Sequence, residues 1–396
     1  MKKNIFTALF LLPLLITGCH WFGGVPDYDE FTTRFTGERT ELYDGNTPWT
    51  FEDFLEAEFD AHPEMECVDL LKFCIQAAYG VDNLPQNARD QFSDDFDDAP
   101  LAPDLPLIQV TSPDTARVSL GAWKSAALPP EWLLRMSIIE SAYSDGDEKL
   151  QEYAQIACRM IPDAGVNFTT EEFQQAVAGY LAADPRPQIS HSDSYRQHTP
   201  LYRVINTRYL HTIPVLFAAA RLLYSTTHTP RVIAIDGRSA SGKTTLAMQL
   251  KLILNAQVIH MDDFFLPPAM RNPLRYNEPG GNVHYERFKL EVLPHLNRSN
   301  AFTYKNFDCH TNTYGSRIIW SSDWRIVEGA YSMHPKFGTY ADMTIFYDID
   351  PEEQMRRITA RNGHQAAQIF QSRWIPLEET YIRHFGIKEQ ADLILK

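Results

Sequence analysis

One stretch restricts the choice of folds more than any other. Residues 231–250 read RVIAIDGRSASGKTTLAMQL: an apolar run, a glycine-rich turn and a helical continuation. The spacing Gly237-x-x-x-x-Gly242-Lys243-Thr244 is that of a phosphate-binding turn. Each part has a chemical reason. The glycines let the chain wrap so that backbone N–H groups converge on phosphate oxygens. A helix opening near Gly242 adds its partial positive end. Lys243 reaches the β- and γ-phosphates, and the Thr244 hydroxyl can bind Mg2+. A glycine-serine linker ahead of a helix gives the same letters by accident. The apolar VIAID directly before the turn supplies the context a real site requires. The turn predicts a nucleotide site formed by Gly237, Ser239, Ala240, Ser241, Gly242, Lys243, Thr244 and Thr245, with ATP and Mg2+ as cofactors.

Such a turn needs a parallel sheet around it. Short β-rich runs at 232–236, 257–261, 325–329, 344–349 and 392–395 alternate with helical patterns at 242–254 and 351–361. Alternation of this kind predicts an α/β fold, a parallel sheet covered by helices on both faces. Thr229-Pro230 makes the natural boundary, so the sheet domain is expected over 229–396.

The preceding residues have a different texture. TPWTFEDFLEAEFDAHP (47–63) offers Thr50 as an N-cap with Asp53 three residues on, and MECVDLLKFCIQAAYG (65–80) ends on Gly80. Further helical patterns occupy 129–144, 148–161, 169–183 and 203–225, the last broken by Pro214. The acidic, proline-rich 90–108 reads as a loop. Residues 47–228 are therefore expected to form a mainly α-helical domain. Its segment 190–210 gathers His191, Tyr195, Arg196, Tyr202, Arg203 and Arg208, either as a polar pocket or as a surface docked on the sheet domain; the second is the simpler reading, because aromatics and Arg anchor interfaces.

Charge separates the two parts. Through residue 230 there are 16 Lys and Arg against 33 Asp and Glu; after it there are 20 against 18. The acidic part repels a phosphate backbone, which excludes nucleic acid as its partner. The near-neutral part can still concentrate positive charge for a small phosphorylated ligand. Four scattered cysteines after Cys19 read as reduced thiols, without metal or redox spacing.

The N-terminus points to another compartment. MKKNIFTALFLLPLLITGCH has two lysines, an apolar run and small residues before Cys19, the layout of a secretory signal. ITGC resembles a bacterial lipoprotein signal, with Cys19 as the lipidated residue, and 20–46 reads as linker. A buried helix or a misassigned start gives the same letters. ATP is scarce outside the inner membrane, so the sheet domain is expected to work in the cytoplasm, with anchoring through Cys19 as the alternative.

After the second sheet strand comes HMDDFFLPP (260–268). An aspartate at the C-terminal end of a parallel strand sits at the ligand crevice. Asp262 is thereby the candidate base for an acceptor hydroxyl, with helix capping as its ordinary alternative.

IDGRSASGKTT, HMDDFF, IVEGAYS and RRITARNG, in that order, resemble the uridine kinase and phosphoribulokinase family of P-loop kinases over about residues 229–396. EPGGNVHYERF, WIPLEE and ADLIL resemble a bacterial uridine kinase-like branch. The resemblance implies that Asp262 is the catalytic aspartate, that Glu328 lies near Mg2+, and that Arg357 and Arg361 belong to a mobile lid over ATP. It also places His284 near the acceptor sugar, where the family usually carries an aspartate. Tyr304, Phe307 and Asp308, with His310, are candidate stacking and hydrogen-bonding groups for a base. The implied activity is transfer of the ATP γ-phosphoryl to a small-molecule alcohol, a nucleoside first. A sugar, sugar phosphate or vitamin alcohol is the alternative, and a nucleotide-binding protein without transfer lies in another class.

Overall fold

The computed structural model describes residues 50–80, 88–138, 146–199, 201–309 and 311–396. The signal-like segment, Cys19, the 20–46 linker and His310 lie outside them. Among the described residues no helix is long and apolar enough to cross a membrane.

The acidic half begins with α1 (Phe51–Ala61), α2 (Cys67–Tyr79) and α3 (Ala88–Asp98). The Thr50 hydroxyl accepts the Asp53 N–H at 3.1 Å and the Asp53 carboxylate accepts the Thr50 N–H at 2.8 Å, which fixes the start of α1. The expected loop at 90–108 is corrected over its first part, which is α3. There Phe92 and Phe96 share one helical face and stack at 5.9 Å between acidic positions. After α3 come β1 (Ile108–Val110) and β2 (Thr115–Ser119), then α4 (Pro130–Ile138), α5 (Gly146–Met160) and α6 (Thr170–Ala182). The helical pattern at 203–225 is also corrected. Its start is β3 (Tyr202–Asn206), followed by a 3-10 stretch, and only α7 (Ile213–Ser225) is α-helix, with Pro214 in its first turn. The three strands form an antiparallel sheet in the order β1-β2-β3.

Pleating makes β2 the partition between two cores. Ala116 and Val118 join a core with α3, α4 and α7, whereas Arg117 turns to the other face among Phe54, Phe73 and Tyr202. On that second side α1, α2, α5 and α6 enclose a separate apolar core.

The remainder is a five-stranded sheet in the order β10-β9-β4-β8-β5, parallel throughout. Its strands are β4 (Arg231–Gly237), β5 (Gln257–His260), β8 (Trp324–Glu328), β9 (Met343–Tyr347) and β10 (Leu393–Leu395). Between β5 and β8 stands an antiparallel hairpin, β6 (Phe302–Asp308) with β7 (Thr313–Ile319). The helices that matter for the site are α8 (Lys243–Leu254), α9 (Tyr285–Glu291), α10 (Pro351–Ile369) and α11 (Ile375–Phe385). Alternate residues of the sheet serve opposite faces. Ile233, Ile235, Ile326 and Ile345 face α8, while Val232, Ile259, Val327 and Phe346 face the other core.

The boundary expected at 229 falls inside one continuous core. Residues of α3, α4 and α7 share it with α8 and with the inner face of β4, β8 and β9. Trp132 meets Trp324 edge to face at 6.3 Å, Arg135 Nη1 donates to Ile253 O at 2.7 Å, and Gln249 Nε2 donates to Arg208 O at 3.1 Å. Part of the acidic half therefore supplies the outer layer over α8.

Candidate functional site

Strand order places the site. β4 lies between β8 and β9, so the turn after it opens where neighbouring crossovers leave in opposite directions, the crevice of an open parallel sheet. Gly237 has φ 137°, and a Cβ there would lie 2.1 Å from Tyr347 O, so only glycine fits against β9. Gly242 has φ 116° and opens α8, aiming the helix start into the turn. Ala240 lines the opening in a left-handed conformation, φ 61°. Lys243 Nζ donates to Arg238 O at 2.7 Å, folded back across its own turn.

In-register pairing brings the acids to this end. Glu328 is the last residue of β8 and pairs with Ile235 of β4 on one side and His260 of β5 on the other. Thr244 Oγ1 donates to Glu328 Oε2 at 3.2 Å, and His260 Nδ1 lies 2.5 Å from Glu328 Oε1. A hydroxyl beside a carboxylate suits Mg2+, which takes one or two protein oxygens and keeps phosphate and water oxygens for the rest. Thr244 and Glu328 would hold the ion together with phosphate oxygens.

Asp262 is the second residue of the 3-10 turn Met261–Phe264 that follows β5, and it lines the same cleft. It is accessible from the opening, yet protein surrounds it on the other sides. That burial, and then repulsion from Glu328, holds its pKa above the usual carboxylate range, while Lys243 and His260 pull the opposite way. Its neighbour Asp263 is structural. It accepts from Tyr304 Oη at 2.7 Å and from Arg317 Nε at 2.6 Å, pinning the β6–β7 hairpin.

The cleft has a volume of about 1050 Å³, at the upper end of the range for small-ligand sites. Ser239, Ala240, Gly242, Lys243, Thr244 and Thr245 line its floor, and Arg357 and Arg361 line its roof with Arg356. Arg357 Nη1 reaches Ser241 O at 3.3 Å. Gly237 and Ser241 do not line it. Gly237 is packed on β9, and the Ser241 hydroxyl is buried without a hydrogen-bond partner.

Four expected acceptor contacts are corrected. His284 caps α9, its Nδ1 accepting the Arg287 N–H at 3.3 Å, and it is not part of the cleft lining. Tyr304 and Phe307 are 2 % and 3 % exposed, because alternation along β6 turns them into the core. The Asp308 carboxylate accepts the Thr311 N–H at 3.3 Å within the hairpin turn. Away from the phosphate turn the cleft is lined by Phe265, Arg271, Tyr276, Asn282, Cys309 and Tyr331. Phe265, Asn282 and Tyr331 fall inside HMDDFF, EPGGNVHYERF and IVEGAYS, but those motifs assign them no role.

Two further acids escaped the sequence reading. Asp236, the residue before Gly237, is 1 % exposed and accepts from the Gly237, Tyr331 and Met333 N–H groups at 2.7, 3.1 and 2.9 Å and from Tyr381 Oη at 2.8 Å. It fixes Tyr331 at φ 75°, a conformation that a non-glycine residue holds only under such constraint. Its position at a strand end directly before the turn was the available signal. Glu378 contacts the turn from α11.

The docking surface expected at 190–210 is found only in the last part of that segment. His191, Tyr195 and Tyr202 are enclosed within the acidic half around Asp69, Glu58 and Arg117, whereas Ile205, Tyr209 and Leu210 join the core shared with α8 and the sheet, and the Arg208 carbonyl accepts from Gln249 of α8.

Fold and turn together define a P-loop α/β protein with a helical N-terminal region. No known protein-family profile matches the chain, and no curated protein matches it. Solved structures that resemble it include a protein from Bacillus stearothermophilus described as a possible uridine kinase, 24% identical, covering 46% of this chain and 96% of that one with a TM-score of 0.37. A Silicibacter protein described as a candidate fructose transport system kinase is 19% identical, covering 43% and 92% with a TM-score of 0.37. A Thermus thermophilus protein is 17% identical, covering 42% and 87% with a TM-score of 0.26.

Proposed function

We propose that the protein is an ATP-dependent small-molecule kinase that moves the γ-phosphoryl group to a hydroxyl. The observation that carries this is the convergence of Lys243, the Thr244–Glu328 oxygen pair and Asp262 on one cleft. Bound Mg·ATP would supply the electrophilic phosphorus. Lys243 exchanges the Arg238 carbonyl for phosphate oxygens. Asp262 accepts the proton of the attacking hydroxyl, and its raised pKa suits a group that must receive one. Arg357 and Arg361 offset charge developing on the transferred group, and their segment excludes water that would otherwise hydrolyse ATP.

For the acceptor, a nucleoside remains the first reading from the motif resemblance. Arg271 favours a second, an alcohol bearing an anionic group such as a sugar phosphate. Its Nε donates to Leu266 O at 2.8 Å and Nη2 lies 3.8 Å from Cys309 Sγ, and among the described residues no carboxylate pairs with it. Nearby Arg275, Arg287 and Arg317 all have carboxylate partners. Phosphoryl transfer from ATP to uridine, cytidine, ribose, ribose 5-phosphate and pantothenate tests both readings, beside Asp262→Asn. Unchanged turnover in Asp262→Asn removes it as the base. Tight Mg·ATP binding with no transfer to any alcohol leaves a nucleotide-binding protein instead. Mass spectrometry of the mature N-terminus tests the compartment, since diacylglyceryl on Cys19 argues against work in the cytoplasm.

A further inference from the structure

The chemistry above leaves one buried carboxylate without a task. Glu378 is 7% exposed and lies at the wall of the cleft, on the WIPLEE segment whose role the motifs do not explain. Its Oε2 accepts the Ser239 N–H at 2.9 Å, and its Oε1 accepts the Ser239 hydroxyl. The remaining polar group of Ser239 is also taken: Gln354 Nε2, on a side chain 3% exposed, donates to Ser239 O at 3.0 Å. Every hydrogen-bonding group of one residue in the phosphate turn is thus held by just two side chains.

Those two side chains bracket a distinctive piece of chain. Residues 355–377 carry Arg356, Arg357, Arg361 and Trp374 over the cleft. Between Ile358 and Glu378 only Ala367 is buried, so little apolar packing holds this piece down. It is broken at Gly363, with φ 79° and ψ 166°, and again by a π-helical turn over Phe370–Trp374. Such breaks inside helices are where rigid pieces pivot. The segment is an arch with both feet on Ser239: Gln354 is the near foot and Glu378 the far one.

An acid is a costly choice for the far foot. Burying a carboxylate is unfavourable unless its oxygens are matched, and a Leu or Met would fill the same space without that cost. What an apolar residue lacks is the ability to take the Ser239 N–H and hydroxyl together. We propose that Glu378 is a positioning residue that ties the 355–377 arch to the phosphate turn, so that the arch arginines are set by the position of Ser239. This rests on the reading of the cleft as a nucleoside triphosphate site. In that case phosphates seated on the turn and the arch above them move as one unit, and a loosened far foot lets water in.

Trypsin provides a test that needs no turnover, because Arg356, Arg357, Arg361 and Arg373 all lie in the arch. With the full-length protein free of nucleotide, Glu378→Ala should raise the cleavage rate within 356–373 by about tenfold, as expected for losing a hydrogen-bonded anchor of a locally opening segment. Glu378→Gln keeps a carbonyl acceptor for the Ser239 N–H and should rise by only about threefold. Ser239→Ala, which removes the hydroxyl alone, should behave like Glu378→Gln and add nothing to it in the double variant. The second readout is ATP hydrolysed per phosphoryl transferred, which a purely structural acid would not move and which should rise in Glu378→Ala. If Glu378→Ala does not fold, the Gln and Ser239 variants carry the test. Cleavage rates equal to wild type in every folded variant overturn the proposal, even where Mg·ATP protects the arch. Faster cleavage in the variants with no effect of Mg·ATP on any of them supports the anchor and removes the nucleotide reading.

Discussion

Two enclosed clusters of charge, one in each half of the molecule, invite the same first interpretation and deserve different ones. In the acidic half Arg117 is 4% exposed, with its guanidinium 4.7, 4.6 and 4.3 Å from the rings of Phe54, Phe73 and Tyr202. Nη1 lies 3.2 Å from Glu58 Oε1 and donates to Tyr195 Oη at 3.2 Å. His191 sits between Asp69, at 2.8 Å, and Tyr202, at 2.5 Å. In the other half Lys243 is 8% exposed, nearly as buried, but its partner is a backbone carbonyl of its own turn and its side chain borders the cleft. Burial alone does not distinguish a site. The distinction is whether a partner can be exchanged for a ligand and whether the ligand has a way in. The first cluster is sealed by aromatic side chains on one face of β2. The second is held open.

The comparison can be broken by experiment. The largest effects belong to the cleft: Lys243→Ala and Asp262→Asn should each lower phosphoryl transfer by about 10³-fold with little change in melting temperature. Steady-state rates beside thermal unfolding check this, and a melting temperature that collapses with activity would make the cleft a structural cluster too. Arg117→Ala should do the reverse. It strands Glu58 in the interior and should cost about 3–5 kcal/mol of stability in denaturant unfolding. Activity per folded molecule should stay near wild type, and a selective activity loss in a stable Arg117 variant would mean that the helical half has chemistry of its own.

Trp132→Ala probes the seam between the halves. Removing a ring that the two halves share should cost about 3 kcal/mol, and both halves should then unfold at lower denaturant together. Separate transitions would show that the continuous core does not couple them.

Acid has a smaller effect, alike in both halves. Burial lowers the pKa of His191 and of His334 to about 4 each, from an ordinary value of 6.5. A histidine depressed in the folded state is neutral there while the unfolded chain takes up a proton. Stability is therefore fully present above pH 6.5 and is lost as pH falls toward 4. At pH 5 the loss should be about 2 kcal/mol per histidine, read from unfolding curves between pH 7.5 and 5. His191→Asn and His334→Asn should each flatten the dependence by a similar amount; a change in only one would show that the halves differ in acid sensitivity. The smallest expected effect is Arg361→Met, a rise of about tenfold in KM for ATP, since this side chain lines the cleft and, among the described residues, is bonded only to Asn362 at 2.8 Å.

How much of this could be read from letters depends on the range of the physics. The phosphate turn was legible because its parts are adjacent in sequence and each residue type is dictated by local geometry. The strand order brings Thr244, Glu328 and Asp262 together, and the motifs already named all three. Asp262 lines the cleft, whereas its neighbour Asp263 lies under the hairpin. The errors came where tertiary contact decides. Acidity disguised α3, although Phe92 and Phe96 carried its helical period. Tyr304 and Phe307 have the chemistry of base-stacking residues, but the pleat of β6 makes them core. Arg271 carries no local pattern, and WIPLEE gives Glu378 no role, since what matters about both is which distant group they meet.

What the chain determined by itself is local: a strand, a glycine turn whose backbone closes on phosphate, a helix behind it, and capped amphipathic helices before it. These follow from φ/ψ preference, capping and hydrophobic period within a few residues. Only the tertiary structure decided that the acidic half covers α8 through a shared core and that one serine of the turn anchors both feet of the arginine arch. Those outcomes depend on pairings more than a hundred residues apart, such as Glu378 with Ser239 and Trp132 with Trp324, and packing selects such pairs only when the whole chain has folded.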